Sequence, residues 1–131
     1  MLPEVYKTII RKLHKKSAEE EVNWHTTSDG STYIVYFKTF SLSIDRYHME
    51  FRDAPGIAVR ILNMEGDEVD SFFEYDSDDD WQLLNELYEF ARRKALRIDE
   101  AIRSIDSELD RIGFVGRGDN PAGEKFDDIP F

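Results

Sequence analysis

Apolar residues recur at helical spacing at both ends of this chain and alternate at a spacing of two in its middle. Val5, Tyr6, Ile9, Ile10 and Leu13 lie three and four apart, which predicts an amphipathic helix from residue 3 to about residue 20. Pro3 suits its first turn. Strands are expected next. Val22 to Thr27 is followed by the turn signal Ser28-Asp29-Gly30-Ser31 and then by Thr32 to about Phe40, which is apolar on both faces and reads as a central strand. The parity then changes. Tyr33, Val35 and Phe37 fall on odd numbers while Phe40, Leu42 and Ile44 fall on even ones, so a bulge or tight bend is expected near Lys38-Thr39. Asp53-Ala54-Pro55-Gly56 is expected to break the following segment. Ile57, Val59 and Ile61 resume a strand, Asn63-Met64-Glu65-Gly66-Asp67 turns it back antiparallel, and Val69, Ser71, Phe73 and Tyr75 share one face of the next strand with Phe72 on the other.

Helical spacing returns after Ser77, expected to cap a helix whose first turn holds Asp78, Asp79 and Asp80 against the positive end of the macrodipole. Leu84, Leu87, Tyr88, Ala91 and Ala95 form its buried stripe. The pattern breaks near Arg97-Ile98-Asp99, where Asp99 could cap a second segment carrying Ile102, Ile105, Leu109 and Ile112 before Gly113 stops it. Glu89 with Arg93 and Asp99 with Arg103 are spaced as i,i+4 ion pairs. The expected architecture is α+β: an N-terminal helix, a twisted antiparallel sheet of four or five strands, and a long or broken C-terminal helix on one sheet face. Residues 1–112 form one domain in this reading, residues 113–125 a flexible Gly-rich linker spanning roughly 20 Å, and residues 126–131 an acidic tip.

Charge narrows the partners. The net charge is −11, and the tail from Gly113 onward accounts for only −2 of it, so an acidic body opposes general attraction to phosphate backbones and anionic membranes. The one concentrated basic stretch is Lys7, Arg11, Lys12, Lys15 and Lys16, of which Lys12, Lys15 and Lys16 are the candidate nucleic-acid contacts. The aromatic residues Trp24, Tyr33, Tyr36, Phe37 and Phe40 are either sheet core or a stacking platform for single-stranded bases. With no cysteine there is no thiolate nucleophile, no cysteine zinc site and no redox switch, in keeping with a reducing cytoplasm. No stretch is apolar enough to suggest a membrane span or a secretory leader.

Candidate chemistry is thin. Asp76, Asp78, Asp79 and Asp80 invite a calcium loop, but the positions that would need Gly and an acid hold Trp81 and Leu87. His14, His25 and His48 have no ligand-set spacing, and no phosphate-binding glycine loop or nucleophile elbow occurs. The expectation is a protein with no catalytic residues, no metal and no cofactor.

The last six residues are different. Phe126-Asp127-Asp128-Ile129-Pro130-Phe131 joins two acids to an apolar end and a carboxylate. Asp127 and Asp128 can accept charge-assisted hydrogen bonds, Phe131 offers a ring with few rotatable bonds, and Pro130 restricts Ile129 before binding. This stretch resembles the acidic C-terminal tip of bacterial and phage single-stranded-DNA-binding proteins, with two acids where that family commonly has three and Lys125 just before Phe126. The resemblance implies docking on genome-maintenance proteins, such as nucleases, helicases and recombination mediators, through a pocket for a C-terminal Phe carboxylate. Phe131 and Pro130 would fill that pocket while Asp127 and Asp128 face its basic rim. The expected function is therefore a non-enzymatic accessory protein of DNA replication, repair or recombination. The alternatives are a single-stranded-DNA-binding protein in its own right, or an acidic DNA-mimic inhibitor of a nuclease.

Overall fold

The computed structural model describes residues 2–49 and 54–116. The chain divides into two units, Met1–Asp99 and Glu100–Phe131. The first unit is α+β: helix α1 (Glu4–Ala18), strands β1 (His25–Thr26), β2 (Thr32–Tyr36), β3 (Ser41–Met49), β4 (Ala54–Leu62) and β5 (Glu68–Tyr75), then helix α2 (Trp81–Ala95). The five strands form one antiparallel meander in chain order, β1 to β5. Sequential hairpins need only short connections, so each turn sets the register of the strand after it.

Alternation sorts the sheet into two faces. Tyr33 pairs with Ile44, Ile44 with Val59 and Val59 with Phe72, and this row faces the helices. Ile10 and Leu13 from α1, Leu84, Leu87, Tyr88 and Ala91 from α2, and Val22 and Trp24 ahead of β1 complete the core. Residues of the other face include Tyr36, Asp45, Tyr47, Arg60, Phe73 and Tyr75. Tyr36 and Phe73 there are exposed. Phe72 and Phe73 take opposite faces, as the alternation requires.

Local chemistry explains the turns. The Asp29 carboxylate accepts hydrogen bonds from the Ser31 backbone N–H at 2.9 Å, the Ser31 hydroxyl and the Thr32 hydroxyl, which lowers its pKa and closes the turn before β2. The parity change near Lys38-Thr39 is the hairpin between β2 and β3, where the Phe37 N–H donates to the Phe40 carbonyl at 2.8 Å. Asn63 opens the β4–β5 turn by accepting from the Glu65 and Asp67 N–H groups on its side-chain oxygen.

Five expectations need correction. The buried stripe of α1 is Ile10, Leu13 and Ser17 with Tyr6 stacked on Phe72 at 4.8 Å, while Val5 and Ile9 are exposed. Ser17 replaces an apolar residue because its hydroxyl accepts the Trp24 indole N–H at 3.0 Å. The segment before the first turn contributes only two strand residues, so β2 is flanked by a minimal edge. Ala54, Pro55 and Gly56 lie inside β4, with Pro55 ahead of the first residue paired to β5, which places a proline near a strand start. Gly56 is there for space: a Cβ would stand 2.6 Å from the ring of Tyr47, its cross-strand neighbour.

The fourth correction concerns the aspartates. Ser77 does not cap α2, and residues 76–80 form turns ahead of it. Asp78 accepts the Tyr75 N–H at 2.6 Å, and Asp80, at the N-cap position without capping by its side chain, accepts the Leu2 N–H at 3.0 Å and lies 3.7 Å from the Lys7 ammonium. These acids fasten the end of β5 and the start of α1 to one corner instead of serving the helix dipole.

Helix α2 ends at Ala95, Arg97 takes a left-handed φ of 57°, and α3 (Ile98–Leu109) follows. Arg93 pairs with Asp99 and Arg92 with Glu89, so the expected Glu89–Arg93 and Asp99–Arg103 partners are exchanged. Unlike α2, α3 buries no residue.

Candidate functional site

The six residues of the tip, Phe126 to Phe131, and most of the expected linker lie outside the described residues. The other predicted contacts do have positions. Lys12, Lys15 and Lys16 are exposed on α1, and Lys16 lies 3.7 Å from Glu21, a surface pair of small energetic weight. Spacing of three and four residues places all three ammonium groups on the solvent side of the helix, away from the face holding Ile10, Leu13 and Ser17.

The aromatic candidates separate into two sets. Trp24 and Tyr33 belong to the core, where Tyr33 packs against Tyr88 at 5.4 Å between ring centres. Tyr36, Phe37 and Phe40 are exposed and line a recess of about 360 Å³ with Lys38, Leu62 and Met64. This recess forms because the β2–β3 turn and the β4–β5 turn end side by side: Tyr36 pairs with Ser41 and Ser41 with Leu62. Tyr36, Ser41 and Leu62 lie on the sheet face opposite α1, so the lysines and the exposed rings do not share a surface. A strand of nucleic acid could not use both in one short pass.

Sequence spacing did not reveal the acid group at the β5–α2 corner. Glu74 is fully buried on the helix-facing side, paired across the ladder with Ile57. Burial, followed by its hydrogen bond with Asp78, pushes its pKa up to about 7. A neutral Glu74 can donate to Asp78 while Asp78 holds the Tyr75 N–H, which ties the end of β5 to the turn ahead of α2. A second, partly buried constellation lies on the same side: the Arg46 guanidinium stands 4.3 Å from the centre of the Tyr88 ring and donates to Asn85 at 2.6 Å, and the Tyr88 hydroxyl donates to the Ser31 carbonyl at 2.9 Å. Burial pushes the Tyr88 phenol up to about 12. These groups tie α2 to β3 and to the turn before β2.

Histidine residues are dispersed. His14 meets Glu86 at 2.8 Å, which lowers the Glu86 pKa, and His25 packs against Tyr36. Among the described residues no three His, Asp or Glu side chains gather where a cation could be held. Nor is any described helix long and apolar enough to cross a membrane.

No family model matches this chain, and no curated protein matches it. The reading of its function therefore rests on its own residues.

Proposed function

We propose that this chain is a non-enzymatic accessory protein of DNA replication, repair or recombination, which docks through Asp127-Asp128-Ile129-Pro130-Phe131 on enzymes that recognise the tip of single-stranded-DNA-binding protein. The observation that supports the reading is the order of residues itself: two carboxylates, then Ile-Pro, then an aromatic ring. A pocket with a basic rim discriminates that order well, because the ring needs an apolar floor while the acids need Arg or Lys at a fixed distance from it. The reading requires Phe131 to carry the free carboxylate. In this view the α+β body is the cargo that the tip brings to the enzyme.

Competition tests the proposal. A labelled peptide with the tip sequence of a single-stranded-DNA-binding protein is bound to a nuclease or helicase that recognises it, and the full chain is added. The chain should displace the peptide, and removal of Phe131 alone should weaken displacement by about 100-fold, the scale of losing an aromatic anchor with its carboxylate. Equal displacement with and without Phe131 would sink the idea.

A further inference from the structure

Two helices of this protein expose apolar residues, and their charges are opposite. On α1, Val5 is 64% exposed and Ile9 42%, and they lie on one line with Lys12 and Lys16 at spacings of four, three and four. On α3, Ile102, Ile105 and Leu109 are each more than half exposed and belong to the series Ile98, Ile102, Ile105, Leu109, Ile112, spaced four, three, four and three. That repeat is the seam of a helix built to pack along another helix. In a seam with this spacing, Asp99 and Asp106 flank one side and Glu108 the other.

Counting Glu4–Ala18, α1 holds Lys7, Arg11, Lys12, Lys15 and Lys16 against Glu4, a net +4. Residues 98–112 hold Asp99, Glu100, Asp106, Glu108 and Asp110 against Arg103 and Arg111, a net −3. Pairing α3 with α3 joins two surfaces of the same sign, whereas pairing α3 with α1 joins opposite signs and covers Val5 and Ile9 as well. Lysine stems can lie over apolar side chains while their ammonium groups reach outward, so Lys12 and Lys16 can cover the seam and meet its flanking acids together.

We propose that the chain forms a twofold dimer in which α3 of each copy lays its Ile102-Ile105-Leu109 seam on Val5, Ile9, Lys12 and Lys16 of α1 in the other copy. A twofold axis makes this contact twice, so both apolar lines are covered without leaving one open for further growth. The inference does not depend on the role of the tip. A dimer would carry two tips and so raise the apparent affinity of any docking they perform.

The experiment uses the full chain, which has no native cysteine. Sedimentation equilibrium over a range of concentrations should show a monomer–dimer equilibrium. Lys12→Glu with Lys16→Glu should weaken it at least about tenfold, since each reversed surface pair counts in both contacts. Adding Asp106→Lys and Glu108→Lys should restore it. Chains carrying only Ile9→Cys and only Ile105→Cys, mixed with a short thiol cross-linker, should give a covalent dimer containing one of each. A monomer at every concentration would overturn the proposal. So would a dimer indifferent to charge reversal, or cross-linking of Ile105→Cys only to itself.

Discussion

Helices α2 and α3 follow one another with a single left-handed residue between their ends, and both carry an apolar stripe of helical period, yet one stripe is core and the other is surface. Leu84, Leu87, Tyr88 and Ala91 of α2 meet the sheet and α1. Ile102, Ile105 and Leu109 of α3 remain exposed. Amphipathicity thus states that a helix has a face to cover, and the register of the surrounding sheet decides whether the same chain covers it. The Ile-rich stripe of α3 is the more strongly amphipathic of the two, so its exposure is not a weak pattern left over at the end of a fold.

The contrast can be broken at its strongest point. Leu87 is fully buried, and Leu87→Ala should lower unfolding free energy by about 3 kcal/mol, read as a fall in urea midpoint without a change in slope. A loss below about 1 kcal/mol would mean that α2 is no better covered than α3. Glu74 probes the same covered side by pH. Its folded pKa of about 7 exceeds the ordinary 4.5, so the folded state holds the proton more tightly. Glu74 therefore adds no penalty below pH 4.5, erodes stability as pH rises from 4.5 to 7, and leaves a constant penalty above that. Glu74→Gln should consequently stabilise the protein at pH 8, by on the order of 2 kcal/mol, and have little effect at pH 4. Thermal melts at the two pH values check this, and a Gln variant no more stable than the parent at pH 8 would show that the fold does not disfavour the Glu74 carboxylate. Smallest of all, Ile105→Ala at a concentration where the protein is monomeric should move the urea midpoint by no more than about 0.5 kcal/mol equivalent. A larger loss would put α3 in the core.

Much of this arrangement was legible in the residues, and the failures have identifiable causes. The stripe of α2 could be read because all its members are apolar and one residue wide. In α1, by contrast, Val5 and Ile9 run beside Tyr6, Ile10 and Leu13, and spacing cannot choose between adjacent lines on one helix. Ser17 was invisible because its burial depends on an indole N–H seven residues away. The aspartates before α2 looked like capping acids because their partners, Leu2 and Lys7, are distant in sequence. The recess around Tyr36, Phe37 and Phe40 needs Leu62 and Met64 from another hairpin, and only strand register brings them together. The tip is the reverse case, since every reason for singling it out is contained in six consecutive residues.

The order of the strands also bears on what crowding does to this protein. A meander leaves two rims whose backbone amides can recruit a foreign strand, and here one rim is β1, only two residues long, and the other is β5. Along β5 stand the exposed Glu68 and Asp70, with Asp67 and Asp76 at its ends. A like strand laid beside it would have to neutralise or displace those carboxylates before its first amide could bond. Growth into fibrils is therefore discouraged at one rim by brevity and at the other by electrostatic repulsion.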